Sequence, residues 1–393
     1  MGETMWDTDP QHFWLRGERP EHTVVHDEEL GFWNVYGHPE SVEVLADWSR
    51  FSSDTSRLFP AVEGGTTEGN ILQLDPPEHH ELRRLVSRAF TPKVVADLEP
   101  RITELTGDLL DEATGDDFEL VRDLAYPLPV IVIAELLGVP ADDRHLFRDW
   151  VDGLFEGQGR LSLKDDRATQ EEALRGGVEA MRPILDYLGE HAAQCRRRPR
   201  PGLLNDLVRA EVDGARLTDA QVVNFATILL VAGHITTTML LGNTLLALDA
   251  HPDRFAQVRE HRGLLPSAIE ESLRFLTPFA AVARTTTAPQ TLGGVEVPAD
   301  QLLMLWVGAA NRDPRVFADP DAFDVTRDPN PHLGFGRGVH FCLGAPLARL
   351  EGRLALDVLL DRFPRLRTDP ARPPAFFDSV NLTGVRSLPL LID

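Results

Sequence analysis

The run Phe335-Gly336-Arg337-Gly338-Val339-His340-Phe341-Cys342-Leu343-Gly344 holds the residue types best able to do chemistry. Gly336 and Gly338 let the backbone turn tightly, so that amide N–H groups can approach the Cys342 sulfur. A helix opening at Leu343 aims its N-terminal dipole at the same atom, and both effects favour a thiolate over a thiol. Gly344 leaves room for a flat macrocycle to lie against that helix, and Phe335 offers it an aromatic face. The other cysteine, Cys195, stands between Gln194 and Arg196-Arg197-Arg198 and reads as an inert buried or surface residue.

Three further groupings carry polar chemistry. Ala232-Gly233-His234-Ile235-Thr236-Thr237 interrupts a long apolar stretch. Glycine is costly within a helix, and a threonine that bonds back to the preceding turn can open a groove there. Glu271-Ser272-Leu273-Arg274 places opposite charges three residues apart, on one helix face. Asp75-Pro76-Pro77-Glu78-His79-His80-Glu81-Leu82-Arg83-Arg84 puts His79 and Arg83 one helical turn apart.

The elements that must position these residues are mostly helices. Thr218-Asp219-Ala220-Gln221 is a capping box, opening the longest periodic segment, which runs to about Asp249. Its apolar residues lie nearly all round, as in a central helix; His234 and its threonines argue against a membrane span. Further helices are expected over His38–Asp47, from Thr91-Pro92 toward Glu112, and over Leu124–Leu137, which stops at Gly138. Others are expected over Asp142–Glu156, Asp166–Arg198 and Leu343–Arg362. Thr23–His26 and Phe32–Tyr36 read as a hairpin, Ser52–Asn70 as a long functional loop, and Val282–Thr287, Gln290–Val297 and Leu302–Val307 as strands. The fold class is therefore mainly α, a helix-rich single domain over residues 1–393 with a small β-region at the two ends of the chain.

The chain has 393 residues, 42% hydrophobic, and a formal charge of −23. Such acidity argues against nucleic acid or an anionic membrane as the general partner. Two cysteines far apart imply no disulfide framework, and no apolar run opens the sequence, so a cytoplasmic protein without a membrane anchor is expected.

The Cys342 loop resembles the haem-binding loop of the cytochrome P-450 superfamily, matching every fixed position of F-G-x-G-x-H-x-C-x-G. The resemblance implies the fold of that superfamily and a haem b whose iron takes the Cys342 thiolate as its proximal metal ligand, favouring O–O cleavage. It implies that His79, Arg83, Arg284 and His340 contact the haem propionates, with Phe335, Gly336 and Gly344 shaping the cofactor site. It makes Glu271, Arg274 and Arg327 a buried structural triad. Thr236 matches the oxygen-activating threonine. Ile235 departs from the family's usual Asp or Glu, which leaves proton delivery to His234, ordered water or a group on the substrate.

The string from Ala232 through Asn243 is similar to actinobacterial macrolide hydroxylases within the superfamily. The implied activity is a monooxygenase that hydroxylates or epoxidises a macrolide or other polyketide in antibiotic biosynthesis. The pocket would be walled by Phe59, Leu229, Ala232, Phe279, Ala280 and Leu382, and by the Asp142–Gly177 region; the acid-rich stretch from Asp142 to Glu179 would draw in a cationic amino sugar on the substrate. No flavin or NAD domain fits in the chain, so electrons are expected from NAD(P)H through ferredoxin and ferredoxin reductase. Arg84, Arg88, Lys93, Arg337, Arg349 and Arg353 would form the docking face of a monomer. A peroxide-driven peroxygenase and a non-catalytic haem sensor are the alternatives.

Overall fold

The computed structural model describes residues 6, 8–63, 68–113, 117–155, 162–212 and 215–392. Its helices are α1 (His38–Ala46), α2 (Glu78–Val86), α3 (Pro92–Ala96), α4 (Glu99–Glu112), α5 (Pro127–Leu137), α6 (Arg144–Phe155), α7 (Arg167–Arg197), α8 (Leu203–Arg209), α9 (Asp219–Asp249), α10 (Pro252–Glu260), α11 (Leu265–Phe275), α12 (Val307–Ala310) and α13 (Ala345–Arg362). The strands are β1 (Val24–Asp27), β2 (Phe32–Val35), β3 (Phe51–Ser52), β4 (Glu211–Val212), β5 (Ala215–Arg216), β6 (Val282–Thr286), β7 (Gln290–Leu292), β8 (Val295–Val297), β9 (Leu302–Leu305), β10 (Leu366–Thr368), β11 (Ala375–Phe376), β12 (Val385–Ser387) and β13 (Leu390–Ile392).

Helix α9 is the axis of the molecule. It begins at the capping box: the Gln221 amide donates to Thr218 Oγ1 at 3.1 Å, and the Thr218 amide donates to Gln221 Oε1 at 2.9 Å. Its 31 residues span about 46 Å, and α5, α7, α11 and α13 pack around it. From Thr237 to Leu248 every residue is buried. Long and apolar enough to cross a membrane by composition, it has 67% of its most apolar window buried inside the fold, as a core helix does.

The β-regions from the two ends of the chain join in one sheet of order β1-β2-β9-β6-β3. Strand β2 runs parallel to β9, with Trp33 opposite Leu303, and β6 runs antiparallel to β9. Beside the sheet, a short 3-10 helix (Phe13–Arg16) seats Trp14 among Ala280, Ala281, Trp306 and Ala309. A Cβ at Gly308 would lie 2.5 Å from the Trp14 ring, so only glycine fits there.

Several elements differ from the sequence reading. The helix expected from Thr91 to Glu112 is two, α3 and α4, because Pro100 cannot donate into a continuing helix and sits instead in the first turn of α4. The Leu124–Leu137 segment opens as a π-turn, Val121–Ala125, before α5 starts at Pro127. Gln290–Val297 is a hairpin, since Gly293 and Gly294 take φ of 57° and 81°. Helix α13 starts at Ala345, with Gly344 as its N-cap. Strands β10 to β13 near the C-terminus were not foreseen. Within the Ser52–Asn70 loop, residues 64–67 lie outside the described set, as does Glu156 at the expected end of α6.

Candidate active site

The thiol loop is built as its glycines demand. Gly336 and Gly338 take φ of 68° and 72°, and a side chain at Gly338 would strike the Leu45 carbonyl oxygen. The Cys342 amide donates to the Phe335 carbonyl at 2.9 Å, closing the loop. Burial pushes the Cys342 thiol up, while hydrogen bonds from the Gly344 and Ala345 amides and the charges of Arg83 and Arg349 pull it down. A metal cation bound to the sulfur would favour the thiolate further. A Cβ at Gly344 would meet no atom within 4 Å, so one face of the loop is open.

Near the loop stand two histidines and two arginines, of which the His79 ring has no hydrogen-bond partner among the described residues. His79 is 1% exposed, yet neither of its ring nitrogens has a hydrogen-bond partner. Its ring lies 4.2 Å from that of His340, whose Nε2 pairs with Ser53 Oγ at 2.8 Å. Burial, with Arg83 and other cations beside it, lowers His79 to about 4. Burial likewise lowers Arg284 to about 10, against the attraction of Asp75. Arg83 Nη2 donates to the Phe341 carbonyl at 2.6 Å, tying α2 to the thiol loop. Buried donors of this kind need an anion. A haem fits the set: His79, Arg83, Arg284 and His340 would hold its propionates, the space over Gly344 would take the ring, and Cys342 would supply a sulfur ligand to its iron. Asp75, which the sequence reading leaves without a role, accepts from the Ser53 amide at 2.9 Å and from Ser52 Oγ at 2.5 Å, and so steadies the partner of His340.

On α9, Ile228, Leu229, Val231, Ala232, Gly233 and Thr236 keep partial exposure in the middle of the helix, ahead of its wholly buried stretch from Thr237 to Leu248. Thr236 Oγ1 donates to the Ala232 carbonyl at 2.6 Å, the back-bond expected for a groove. Gly233 has a different reason to be glycine: a Cβ there would come 3.2 Å from Ile133 Cδ1, so it admits α5. His234 is not brought together with Thr236. The two side chains diverge by about 200° around the helix, and the fully buried His234 ring stands edge-on to Tyr126 at 4.6 Å.

The triad is assembled. Glu271 and Arg274, both 0% exposed, pair through 2.8 and 2.7 Å contacts. Arg327 Nε reaches the same carboxylate at 3.1 Å, and Asn330 and the Asp324 amide complete it. Arg274 also donates to the carbonyls of Asn311, Pro320 and Ala322, so α11 fixes the meander before the thiol loop.

Of the six expected wall residues, Phe59, Leu229, Ala232 and Phe279 retain accessible surface. Ala280 and Leu382 do not: Ala280 packs in the Trp14 cluster and Leu382, 1% exposed, in the main core. Backbone alternation turns Ala280 away from its neighbour Phe279. Of the acids between Asp142 and Glu179, Asp143 accepts from Tyr187, Asp165 from the Ser162 amide and Asp166 from the Thr169 amide, and Glu171 pairs with Arg167. The side chain of Asp152 lies outside the described residues, with Glu156.

A half-buried thiol just ahead of a helix N-terminus, with His and Arg side chains beside it and a back-bonded threonine on the central helix, is the set of groups that a haem-thiolate protein requires. The profile of the family described as Cytochrome P450 matches residues 31–389. The cyclomarin C epoxidase of Salinispora arenicola is 43% identical over 96% of this chain and 94% of its own. The erythromycin C-12 hydroxylase of Saccharopolyspora erythraea is 44% identical over 96% and 93%. The structure of a post-tailoring hydroxylase of himastatin biosynthesis superposes with a TM-score of 0.87 at 55% identity, covering 99% and 98%. The chain belongs to the cytochrome P450 family and is a haem-dependent monooxygenase.

Proposed function

We propose that this enzyme hydroxylates or epoxidises a large, mainly apolar natural product, a macrolide or related polyketide, during antibiotic biosynthesis. It works as a cytoplasmic monomer, its 393 residues forming one domain. The observation that carries the reading is the apolar, half-open stripe of Leu229 and Ala232 running up to the Thr236 hydroxyl. A surface of that kind takes an apolar substrate and orients it with few polar contacts. Relatives named as an erythromycin C-12 hydroxylase, a cyclomarin C epoxidase and a post-tailoring hydroxylase of himastatin biosynthesis support the size class.

Bound haem supplies the oxygen chemistry. The chain's own residues hold the substrate and manage protons. Thr236 Oγ1, anchored to the Ala232 carbonyl, keeps its lone pairs directed outward and can pass on a proton when that bond is released. Ile235, 2% exposed, has no proton to give. With His234 turned toward Tyr126, ordered water or a substrate hydroxyl is the relay that the arrangement favours.

Electrons come from NAD(P)H through a ferredoxin reductase and a ferredoxin. The ferredoxin docks beside the thiol loop, where Arg84, Lys93 and Arg337 are exposed. The side chain of Arg88 lies outside the described residues. Of the acids between Asp142 and Glu179, those at 143, 165, 166 and 171 hold local structure, which favours a substrate chosen for apolar shape over one drawn in by charge.

The test is a spectral titration of purified enzyme with macrolides, their aglycones, and the precursors of cyclomarin C and himastatin, each binder then turned over with NADPH, ferredoxin and reductase. Displacement of the iron-bound water and an oxygenated product by one macrolide support the reading. Turnover with peroxide alone at the same rate would make it a peroxygenase, and binding confined to the non-macrolide precursors would remove the polyketide assignment.

A further inference from the structure

Asn243 lies seven residues beyond Thr236 on α9, two turns along the same face. It is 0% exposed. Its Nδ2 donates to the Leu276 carbonyl at 2.8 Å and to the Thr383 carbonyl at 2.7 Å, and its Oδ1 accepts from the Val385 amide at 3.3 Å. One side chain thereby grips two segments far apart in sequence: the stretch leaving α11 and the turn entering β12.

Those two segments are also joined to each other. The Thr383 amide donates to the Pro278 carbonyl at 2.9 Å, the Ala280 amide donates to the Asn381 carbonyl at 2.8 Å, and Phe279 stands opposite Leu382 in an antiparallel bridge. They form a clip. Leu382 anchors it in the core, while Phe279 at its edge stays 36% exposed. The clip lies against α9 without slack, since a side chain at Gly242 would strike Val385 and one at Gly384 would strike Met239. A fully satisfied buried amide of this kind fixes one arrangement, and each bond left unmade is costly.

We propose that Asn243 is a positioning residue for substrate selection: it holds the clip, and through it Phe279, at a fixed distance from Thr236, and so limits the bulk that the site accepts. The inference rests on the reading above that Phe279 faces the substrate. It is tested without the natural substrate, using two iron-binding azoles on the haem-loaded enzyme: imidazole, which reports the iron alone, and clotrimazole, whose bulk must meet the clip. Asn243→Ala is expected to strengthen clotrimazole binding about tenfold, because the released clip no longer limits bulk, and to change imidazole by less than about twofold. In a Phe279→Ala background the same substitution should change clotrimazole affinity little, because the two residues act in series. Weakened or unchanged clotrimazole affinity, an equal change in both azoles, or additive effects would overturn the proposal.

A measurement on the unaltered enzyme does not depend on how the variant folds. The amides of Ala280 and Thr383 should exchange hydrogen as slowly as the centre of α9; exchange at the rate of exposed loops would overturn the proposal too. A failed macrolide titration would remove the substrate class and leave the azole result standing.

Discussion

Arg349 closes on Glu270 as a fork, its Nε and Nη2 each 2.7 Å from a carboxylate oxygen, and its guanidinium carbon lies 4.5 Å from the centre of the Phe335 ring. His332 Nε2 reaches the same carboxylate at 3.0 Å. The sequence counts Arg349 among free positive charges near the thiol, but the structure makes it a brace between α11 and the thiol loop. Arg353 is likewise paired, with Glu99 at 3.1 Å.

Charge reversal therefore separates docking from bracing. Lys93→Glu and Arg337→Glu should slow electron delivery from an acidic ferredoxin at low salt, and the difference from wild type should fade as ionic strength rises. Arg349→Glu should instead shift the haem spectrum and weaken haem retention at every salt concentration. Stopped-flow reduction across a salt series reads both effects; a salt-independent loss in Arg337→Glu would place it with the braces.

The Glu270 brace has a pH signature. Burial works against its ionisation, yet the hydrogen bonds from Arg349 and His332 hold it down to about 2 from an ordinary 4.5. A carboxyl depressed on folding contributes stability above its unfolded value and loses it as the pH falls through the folded one. Thermal unfolding from pH 5 to 2 should show wild type losing more stability than Glu270→Gln, which has no such carboxyl to protonate. Parallel curves would remove the brace from the acid response.

Glu271→Gln breaks a pair with no solvent access on either side and leaves the Arg274 charge without its counterion. A loss of about 3–5 kcal/mol is expected, with poor haem incorporation. Denaturant titration and the ratio of haem to protein absorbance check it.

Thr236→Ala should raise peroxide release relative to product, whereas Thr236→Ser should preserve coupling. His234→Phe should preserve it as well, because the ring packs on Tyr126 and not beside Thr236. Ile235→Glu should lower the melting temperature without improving coupling, since the site is 2% exposed and was apolar before the change. Peroxide assay against product yield decides each of the four.

Cys342→Ala should abolish the red-shifted carbon-monoxide band. Cys195→Ala should keep it, since Cys195 is a core residue of α7, 1% exposed. Loss of the band in both variants would unseat the assignment of the axial ligand.

Features encoded within a few neighbouring residues were legible in the sequence. The capping box placed the start of α9 to the residue, and the two glycines before Cys342 announced the turn they make. Features that depend on a distant contact were not. Gly233 reads as a weak point in a helix until Ile133 is seen against it. The direction of His234 depends on Tyr126, and that of Ala280 on Trp14. Asn243 carried no local signal, because all three of its partners come from segments more than thirty residues away.

The seating of Trp14 against Gly308 has a practical side for anyone handling the protein. His12 Nε2 also meets the Val380 carbonyl at 2.9 Å, next to the Asn381 carbonyl that receives the Ala280 amide. The first described stretch of chain is thus a wedge behind the clip that bears Phe279. Trimming to residue 17 to aid crystallisation would leave an indole-sized hole beside Ala280 and slacken the clip from behind. Such a shortened enzyme should tolerate bulkier ligands less selectively while its iron spectrum stays unchanged. Screening libraries for altered selectivity can begin at positions 12 to 14, none of which is among the residues assigned to the haem.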